Sequence, residues 1–379
     1  MAQRGIREYD AKRMLAKYLP EYLNGFSYKG NLVLAGPDTD FDELVAANPW
    51  LKTERLVVKP DQLFGKRGKH GLVLLDVNWD GAKRYLEENM GKEVVVGGVS
   101  GRLTHFLIEP YVPHEEEFYV AISSDPNGDN IFFSPEGGVC VEEKWDKVVQ
   151  IHVGILEGFD SPDLRSKLQK SLAGQSEAIE SFIRALYQFY VATGFAYLEI
   201  NPFTIKDGEI VPLDMVAKLD DAEEYWQRKR WNGLVFAQPF GRSLSAEELF
   251  IKELDSKTGA SLKLTILNPE GRIWTMVAGG GASVIYADTI CDLGFAREMA
   301  NYGEYSGDPN TEETYYYTKT ILDLMTRKKD PRGKVLLIGG AIANFTDVAK
   351  TFKGVTMALE EYREKLREAG VKIYVRRGG

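Results

Sequence analysis

Disulfides and cysteine-ligated metals have almost no basis in this sequence, because only 2 of its 379 residues are cysteine. Cys140 and Cys291 could form one bridge at most, and neither lies in a CxxC or histidine-rich pattern. Long hydrophobic runs are missing too. No apolar stretch reaches the about 20 residues of a membrane-spanning helix, and the N-terminus lacks the apolar core of a signal peptide. We therefore expect a chain that stays in the cytoplasm and has no membrane partner.

Dense positive charge is a further absence. The formal net charge is −9, and basic residues form only short clusters such as Arg228-Lys229-Arg230, a pattern typical of a solvated helix face. This excludes the electrostatic footprint of a nucleic-acid-binding protein. The chain does contain 44% hydrophobic and 27% charged residues without a low-complexity run, which is the composition of a globular protein. Its length predicts two domains.

Residues 1–233 predict a first domain made of an N-terminal helix and two lobes. Apolar residues at helical spacing indicate the helix within 1–19. In the first lobe, about 20–104, apolar strands alternate with helical segments. In the second lobe, 105–233, β-rich runs separated by Pro, Gly and Asp predict an antiparallel sheet, and a long amphipathic helix follows it.

Residues 234–262 are punctuated by Pro and Gly, and we interpret them as a linker. Residues 263–379 then repeat the pattern of strand, loop and helix, first at IWTMVA and again at KVLLIGG, and they end on the strand VKIYVRRGG. This alternation is typical of a doubly wound domain with parallel strands, in which ligands bind beyond the carboxyl ends of the strands. The fold class of the whole chain is therefore α/β.

A basic glycine loop follows one predicted strand of the first domain. The strand delivers Lys59, and Lys66, Arg67 and Gly68 lie in the loop after it. Lysine and arginine neutralise phosphate oxygens, and glycine lets backbone N–H groups approach them, so the pattern suits a polyphosphate. A solvated basic hairpin is the alternative that this segment alone leaves open.

A second candidate is the strand FLIEP, which runs into the proline-flanked connector YVP. The connector can present backbone N–H and C=O groups to an adenine edge, and Glu117 follows close enough to reach ribose hydroxyls. A sheet edge that ends at a proline is the alternative.

A third candidate pairs Asn201, in EINP, with Asp214, in PLD, across a tight hairpin marked by Lys206-Asp207-Gly208. Two paired strands would put these oxygen-bearing side chains next to each other, and Mg²⁺ prefers such ligands together with phosphate oxygens. The alternative is a pair of turn-forming polar residues.

The fourth candidate lies in the second domain, where three stretches fall at one edge of the predicted sheet. Gly279 to Ser283 opens a helix, Asn344-Phe345-Thr346 opens another, and Arg376 and Arg377 end the last strand. Helix N-termini and a guanidinium favour a small polycarboxylate or a phosphate. Ordinary helix capping is the alternative for each stretch.

Several stretches together resemble the N-terminal region of the ATP-citrate lyase family. They are KPDQLFGKRGK, IEPYVPHEEEFYV, EINPFTIKDG with LD, GASLKLTILNPEGRIWTMVAGGGASVIYADTICDLG, ANYGEYSGDP and LLIGGAIANFTDVAKTFKG. The resemblance covers nearly the whole chain, and the wider superfamily is that of the nucleoside-diphosphate-forming acyl-CoA synthetases, which includes the succinyl-CoA synthetase β subunit. It implies an ATP-grasp domain over 1–233 and a flavodoxin-like, citrate-binding domain over 263–379.

The resemblance also implies roles for individual residues of this sequence. ATP would be bound by Lys59, Arg67, Gly68, Glu109, Pro110, Val112 and Glu117. Metal would be bound by two sets, Asn201 and Asp214 for the Mg²⁺ of ATP, and Asp255, Thr258 and Ala260 at a second, structural position. Citrate would be bound by Gly280, Gly281, Ser306, Gly307, Asn344, Phe345, Thr346, Tyr362 and Arg377.

The resemblance implies the small subunit of the enzyme. In the family, ATP phosphorylates a histidine, citryl phosphate forms, and coenzyme A converts it to citryl-CoA, which is cleaved to acetyl-CoA and oxaloacetate. None of the 4 histidines here has the glycine-rich setting of the phosphorylated one, and a citrate-synthase-like domain is missing. We therefore expect no catalytic residue on this chain. A larger partner would carry the phosphohistidine, most coenzyme A contacts and the cleavage domain, as in the two-subunit lyases that serve the reductive tricarboxylic acid cycle of some autotrophic bacteria.

Three other functions stay open. The small subunit of citryl-CoA synthetase makes the same intermediate and leaves its cleavage to a separate enzyme. Succinyl-CoA synthetase fits less well, because ANFT and the arginine pair suit a tricarboxylate. A non-catalytic citrate- or ATP-binding regulator would not need the metal and phosphate residues. The family normally continues beyond the position of Gly379, so we expect the last part of the second domain to be missing.

Overall fold

Two units, 1–242 and 243–379, make up the fold. The computed structural model describes residues 3–138, 141–157, 166, 170, 176–257, 259–342 and 346–378. None of the helices in these described parts combines the length and the apolar character that a membrane crossing requires.

Strands outnumber helices in the described part of unit 1. Its helices are α1 (Glu8–Tyr18), α2 (Phe41–Ala47), α3 (Trp79–Asn89), α4 (Glu177–Thr193) and the short α5 (Glu224–Gln227). Its strands are β1 (Gln3–Ile6), β2 (Val33–Ala35), β3 (Leu56–Pro60), β4 (Leu74–Val77), β5 (Glu93–Val96), β6 (Val99–Arg102), β7 (Phe106–Pro110), β8 (Phe118–Asp125), β9 (Gly128–Ser134), β10 (Val149–Gly154), β11 (Phe195–Lys206), β12 (Glu209–Pro212) and β13 (Met215–Asp220).

Helices and strands alternate along unit 2. Its helices are α6 (Ala246–Ser256), α7 (Gly280–Ile290), α8 (Thr311–Thr326), α9 (Val348–Glu361) and α10 (Arg363–Glu368). Its strands are β14 (Ser261–Ile266), β15 (Ile273–Ala278), β16 (Asn301–Ser306), β17 (Lys334–Ile342) and β18 (Val371–Gly378).

A seven-stranded antiparallel sheet forms the larger part of unit 1, in the order β1-β13-β11-β8-β9-β10, with β12 paired to β11. Its core is built by α4, which places Phe182, Leu186 and Phe189 on the sheet, and by the apolar face of α1. The hairpin predicted at Asp207 is present, since β11 and β12 pair across it and Asp207 has a φ of 52°. The sheet therefore fixes the positions of Asn201, within β11, and of Asp214, between β12 and β13.

A smaller four-stranded sheet, ordered β2-β7-β3-β4, forms the rest of unit 1 together with the hairpin of β5 and β6. The lobe boundary predicted at 104/105 is wrong by one strand. β7 pairs with both β2 and β3 in this smaller sheet, and the larger sheet begins only with β8 at Phe118. The reason is register: Leu56 of β3 faces Pro110, so the whole of β7 completes the first lobe.

Unit 2 is an α/β sandwich around a five-stranded sheet ordered β14-β16-β15-β17-β18. β16, β15, β17 and β18 run parallel, as expected, whereas β14 is an antiparallel edge strand. Helices α8 and α9 cover one face, where Trp274, Tyr317 and Leu336 are buried. All four parallel strands therefore end at one edge of the sheet.

Two predicted boundaries differ from the structure. The segment interpreted as a linker, 234–262, contains α6, because Ser245 and Glu248 form a capping box that starts a helix. The helix expected to open at 344–346 begins at Val348, with the Asp347 side chain accepting the backbone N–H of Lys350 as its N-cap.

Candidate functional site

A cavity of about 490 Å³ opens in unit 1 between the two sheets. Apolar side chains of β3, β4, β7 and β12 form most of its wall, and charged groups gather at one end. Its lining includes Ser27, Tyr28, Val57, Lys59, Val73, Leu75, Glu109, Pro110, Tyr111, Val112, His114, Glu117, Val211, Pro212, Leu213 and Asp214. An apolar cleft with a charged end is the kind of site that takes a flat base together with phosphates.

The charged end centres on Lys59 of β3, whose side chain is buried. Its Nζ lies 2.7 Å from Glu8 Oε1, 2.9 Å from Glu109 Oε1 and 2.7 Å from the carbonyl oxygen of Leu213. β3 and β7 are neighbours in the small sheet, and Leu213 lies between β12 and β13 of the large one, so this ammonium connects the two sheets.

Arg67 reaches the same cluster from the basic loop. Its guanidinium donates to Glu8 Oε2 at 2.6 Å, to the carbonyl oxygen of Pro60 at 2.9 Å, and to the carboxylate of Asp214. Burial raises the pKa of Asp214, and the guanidinium of Arg67 opposes that rise. The basic loop is therefore held against the metal-ligand candidate by a charged hydrogen bond.

Two residues of α1, Glu8 and Lys12, complete the cluster, and both are buried. Lys12 Nζ lies 2.8 Å from Glu8 Oε1, and 3.0 and 2.7 Å from the two oxygens of Glu109. Burial by itself would raise the pKa of Glu8, but Lys12, Lys59 and Arg67 together lower it well below the usual range. Burial would lower the pKa of Lys12, and the two glutamates raise it above its ordinary value instead.

Asp61 fixes the start of α1 beside this cluster. Its carboxylate oxygens accept the backbone N–H groups of Glu8 at 2.8 Å and of Tyr9 at 2.9 Å. Burial, followed by the nearby charge of Glu8, raises the pKa of Asp61 to about 6. Because Asp61 directly follows β3, it locks the helix that carries Glu8 to the strand that carries Lys59.

The predicted metal ligands are brought together. The backbone N–H of Asn201 donates to the carbonyl oxygen of Asp214 at 3.0 Å, at the point where the register of β11 shifts. The Asn201 amide oxygen accepts the N–H of Gly138 at 2.8 Å, and an amide oxygen can accept a second bond. Asp214 lines the cavity. A carboxylate and an amide oxygen on adjacent strands fit a Mg²⁺ ion that would also bind phosphate.

Most of the predicted ATP residues share this cavity. Lys59, Glu109, Pro110, Val112 and Glu117 line it, and Arg67 contacts it through Asp214. Gly68 does not: it is exposed on the turn after Arg67 and is not among the described residues that line the wall.

Polar atoms without partners also point to a ligand here. The hydroxyl oxygens of Ser27 and Tyr28 are buried at the cavity wall and have no hydrogen-bond partner among the described residues. Buried polar groups normally form hydrogen bonds, so each of these hydroxyls is available to bind a ligand or a water molecule. His114, the one histidine of this wall, is bonded to the Val112 carbonyl at 2.7 Å and to Glu117 at 3.2 Å.

A second cavity, of about 320 Å³, lies in unit 2 at the carboxyl ends of the parallel strands. It collects the glycine loop after β15, the end of β16, the end of β17 and the end of β18. Its lining is Ala278, Gly279, Gly281, Ala282, Ser306, Gly307, Ala341, Ile342, Thr346 and Arg377. The first N–H groups of α7, which begins at Gly280, belong to a helix N-terminus and favour an anion.

Arg377 supplies the positive charge of this second cavity. Its Nη1 donates to the carbonyl oxygen of Ala341, and its Nε is buried with no acceptor among the described residues. The side chain crosses Gly340, where an added Cβ would stand 2.8 Å from Nη1. Ser306 and Thr346 add hydroxyl groups. The cavity thus offers a guanidinium, two hydroxyls and a helix N-terminus to a carboxylate ligand.

Not every predicted citrate residue reaches this cavity. Tyr362 is absent from the described lining: it is buried at the far end of α9, with its hydroxyl 3.4 Å from Asp323. The helix starts at the cavity edge, and its C-cap lies 14 residues further along. Gly280 is also outside the lining, where its Cα faces the buried Glu304. Asn344 and Phe345 lie outside the described residues.

The second metal position stays a prediction. Asp255 Oδ1 accepts the backbone N–H of Leu262 at 2.6 Å, Ala260 lies beside Gly307, and Thr258 falls outside the described residues. Within the described parts of the chain, no group of three or more His, Cys, Asp and Glu side chains could hold a metal ion.

Sequence reasoning missed Glu8, Lys12 and Asp61 in the first site and Gly340 in the second. The sequence does contain one indication of the roles of Glu8 and Lys12. Glu8 and Lys12 share the stripe of α1 that also carries Ala11 and Leu15, and charges within an apolar stripe indicate buried partners.

Comparison with known sequence families gives two matches that divide the chain as the structure does. The profile of the ATP-citrate synthase ATP-grasp domain matches residues 2–231. The profile of the ATP citrate lyase citrate-binding domain matches residues 242–379.

Individual proteins agree with these profiles. The chain is 49% identical to ATP-citrate synthase alpha chain protein 2 of Oryza sativa subsp. japonica, covering 100% of this chain and 89% of that protein. It is 48% identical to ATP-citrate synthase of Bos taurus, of which it covers only 35%. Among solved structures, ATP citrate lyase of Methanothrix soehngenii, in complex with citrate and coenzyme A, matches at 71% identity and a TM-score of 0.92, over 100% of this chain and 90% of that one.

Proposed function

This chain belongs to the ATP-citrate synthase family, and from that premise we propose that it is the subunit that binds MgATP and citrate and activates citrate for transfer to coenzyme A. One observation carries the proposal: each unit has its own cavity, an apolar cleft with a charged end in unit 1 and, in unit 2, a cavity lined by a guanidinium, two hydroxyls and a helix N-terminus. The reaction joins these two ligands through a phosphoryl group.

The cavity of unit 1 is proposed to take ATP. Its apolar wall, with Val57, Val112 and Leu213, accepts a flat base, and the connector after β7 offers backbone groups to the base edge. Lys59 and Arg67 lie at the charged end, where phosphates would be neutralised. The unpartnered Tyr28 hydroxyl adds a donor at the wall.

Asn201 and Asp214 are proposed to hold the Mg²⁺ that accompanies ATP. When bound, this ion supplies charge neutralisation to the phosphates. Arg67 already neutralises Asp214, so a metal ion at Asp214 would free this guanidinium for the nucleotide. The chain's own residues would thus provide both the ligands for the metal ion and a cation for the phosphates.

The cavity of unit 2 is proposed to take citrate. Arg377 would bind one carboxylate, and the α7 N-terminus and the hydroxyls of Ser306 and Thr346 would bind others. A citrate carboxylate oxygen would attack the phosphorus of a phosphohistidine carried by the partner; the P–N bond breaks, the imidazole leaves and an acyl phosphate forms. The thiol of coenzyme A would then attack the acyl carbon, lose its proton and displace inorganic phosphate, which leaves the thioester citryl-CoA.

Phosphoryl carriage, most coenzyme A contacts and citrate cleavage are assigned to a larger partner region or subunit. The Bos taurus relative is almost three times as long as the part that this chain matches, which supports a division of labour between regions. His114 lines the cavity of unit 1, but its ring is held by the Val112 carbonyl and by Glu117, and the sequence around it lacks the glycine-rich helix start of the family's phosphorylated histidine. We therefore place the phosphohistidine on the partner.

Calorimetric titration of the full chain tests the proposal. We expect one MgATP and one citrate to bind per chain, and saturation with either ligand to leave the site of the other accessible. Succinate serves as the matched control, because a dicarboxylate lacks one carboxylate and the hydroxyl and should bind more weakly. Failure to bind either MgATP or citrate, or competition between them for one site, would contradict the proposal.

A further inference from the structure

The ammonium of Lys59 is surrounded by acceptors. It donates to Glu8 and to the carbonyl oxygen of Leu213, each at 2.7 Å, and Glu109 Oε1 lies 2.9 Å away as an ion-pair partner. A phosphate oxygen that binds Lys59 must therefore compete with these groups, two of which are buried carboxylates. Abandoning a buried carboxylate without another cation would be costly.

Lys12 is placed to replace Lys59 at both carboxylates. It contacts Glu8 at 2.8 Å and Glu109 at 2.7 and 3.0 Å, so each glutamate keeps a cation when Lys59 moves away. Lys12 is fully buried and is not part of the described cavity lining, whereas Lys59 and Glu109 are. Lys12 can thus act on a nucleotide only through its neighbours.

Counting charges shows what Lys12 contributes. Lys12, Lys59 and Arg67 set three positive charges against the two negative charges of Glu8 and Glu109. Two further carboxylates face this cluster. Asp214 is paired with Arg67 in the structure and, as the candidate metal ligand, would be neutralised by Mg²⁺ when MgATP binds, which leaves Arg67 in the count. Asp61 accepts N–H groups at the positive end of α1. Without Lys12 the two glutamates would consume both remaining cations, and no surplus charge would be left for phosphate.

We propose that Lys12 is a positioning residue for nucleotide binding: it holds Glu8 and Glu109 so that Lys59 can exchange a carboxylate for a phosphate oxygen. The inference rests on the proposed function, because it requires ATP in the cavity of unit 1. A purely structural ion pair is the competing role, and it makes a different prediction for Glu109. If the pair only supports the fold, removing either partner weakens binding. If Lys12 supplies surplus charge, removing Glu109 strengthens it.

Three variants of the full chain separate these roles by calorimetric titration with MgATP. Lys12→Met keeps an unbranched side chain, one atom shorter, and removes its charge, and we expect the Kd to rise about tenfold to a hundredfold, the range for one lost charged hydrogen bond. Glu109→Gln should bind MgATP more tightly than the wild type. The double variant Lys12→Met/Glu109→Gln, which restores a surplus of one positive charge, should bind close to the wild-type value.

The melting temperature and near-UV circular dichroism of each variant are the folding control for unit 1, because citrate binding reports only on unit 2, which has its own core. If the Lys12→Met variant does not fold, the MgATP affinity of the Glu109→Gln variant tests the inference by itself. Weaker or unchanged MgATP binding by Glu109→Gln would overturn the inference, and so would a folded Lys12→Met variant with wild-type affinity. Failure of the wild-type chain to bind MgATP would contradict the proposed function as well, which distinguishes the two failures.

Discussion

Replacing Arg377 with lysine tests the carboxylate site at its strongest single contact. In the structure Nη1 is bonded to the carbonyl of Ala341, and Nε is buried without an acceptor among the described residues. The guanidinium edge that remains can hold a carboxylate through two parallel N–H···O bonds, whereas lysine keeps the charge but offers a single point of contact.

The expected magnitude follows from the loss of one charged hydrogen bond. Such a bond contributes ~1.5–3 kcal/mol, and each ~1.4 kcal/mol changes an equilibrium constant tenfold. We therefore expect Arg377→Lys to raise the Kd for citrate about tenfold to a hundredfold. The Kd for MgATP should stay at the wild-type value, because the nucleotide cavity lies in the other unit.

Arg376→Lys is the matched control, since Arg376 is the exposed neighbour on the same strand and successive side chains of a strand point to opposite faces. Citrate calorimetry on both variants, together with their melting temperatures, separates binding from folding. A silent Arg377→Lys variant beside a weakened Arg376→Lys variant would show that the assignment is wrong by one residue.

Three further predictions address other parts of the account. Asp214→Ala should abolish MgATP binding and leave the citrate Kd unchanged in calorimetry; a large loss of citrate affinity would refute the separation of the two sites. Gly340→Ala should weaken citrate binding, because the new Cβ would stand 2.8 Å from Nη1 and 2.9 Å from Cδ of Arg377, as well as 3.0 Å from Cβ of Ala278, so the guanidinium must move; unchanged citrate affinity in calorimetry would contradict this. The pKa of Asp61 is about 6 in the folded state, compared with 3.8 for an unperturbed aspartate. The folded state therefore binds more protons than the unfolded chain in this window, and the free energy of unfolding falls by about 3 kcal/mol as the pH rises through it. Urea unfolding of Asp61→Asn should lack that component, and an identical pH profile in both proteins would count against it.

The convergence in unit 2 was predictable from the sequence alone. Strand, loop and helix repeated along the chain, and parallel strands end at one edge of the sheet. Gly281, Thr346 and Arg377 belong to the three stretches that this pattern puts at one edge, and all three line the cavity. Ser306, at the end of β16, was implied only by the family resemblance. The start of α9 was less certain, because Asn344, Thr346 and Asp347 are all suitable caps and the structure uses the last.

The charged cluster of unit 1 was only half predictable. Lys59 and Arg67 could be selected because a basic glycine loop follows a strand. Glu8 and Lys12 look like an ordinary i,i+4 pair on a helix, and their real partner, Glu109, is 97 residues away from Lys12. Only the fold of unit 1 brings α1 against β3 and β7, and no local pattern encodes that approach.

Two predicted segment boundaries differ from the structure because one local sequence pattern was given more weight than another. Pro and Gly around 234–262 suggested a linker, although Ser245 and Glu248 carried the S-x-x-E pattern of a helix start. The predicted lobe boundary at 104/105 differs from the structure because the sequence of β7 is typical of the first strand in an antiparallel series. Its pairing with β2 and β3 depends on contacts between residues that are distant in sequence.

The central claim is that this chain activates citrate for an enzyme whose cleavage domain lies elsewhere. The most direct measurement is oxaloacetate release from citrate, MgATP and coenzyme A by this chain reconstituted with the larger partner proposed above, with this chain alone as the control. The account predicts oxaloacetate from the complex, in amounts equal to the ATP consumed, and none from the isolated chain. Citryl-CoA that accumulates without cleavage would contradict the assignment to a lyase in favour of a citryl-CoA synthetase, and oxaloacetate from the isolated chain would refute the division of labour.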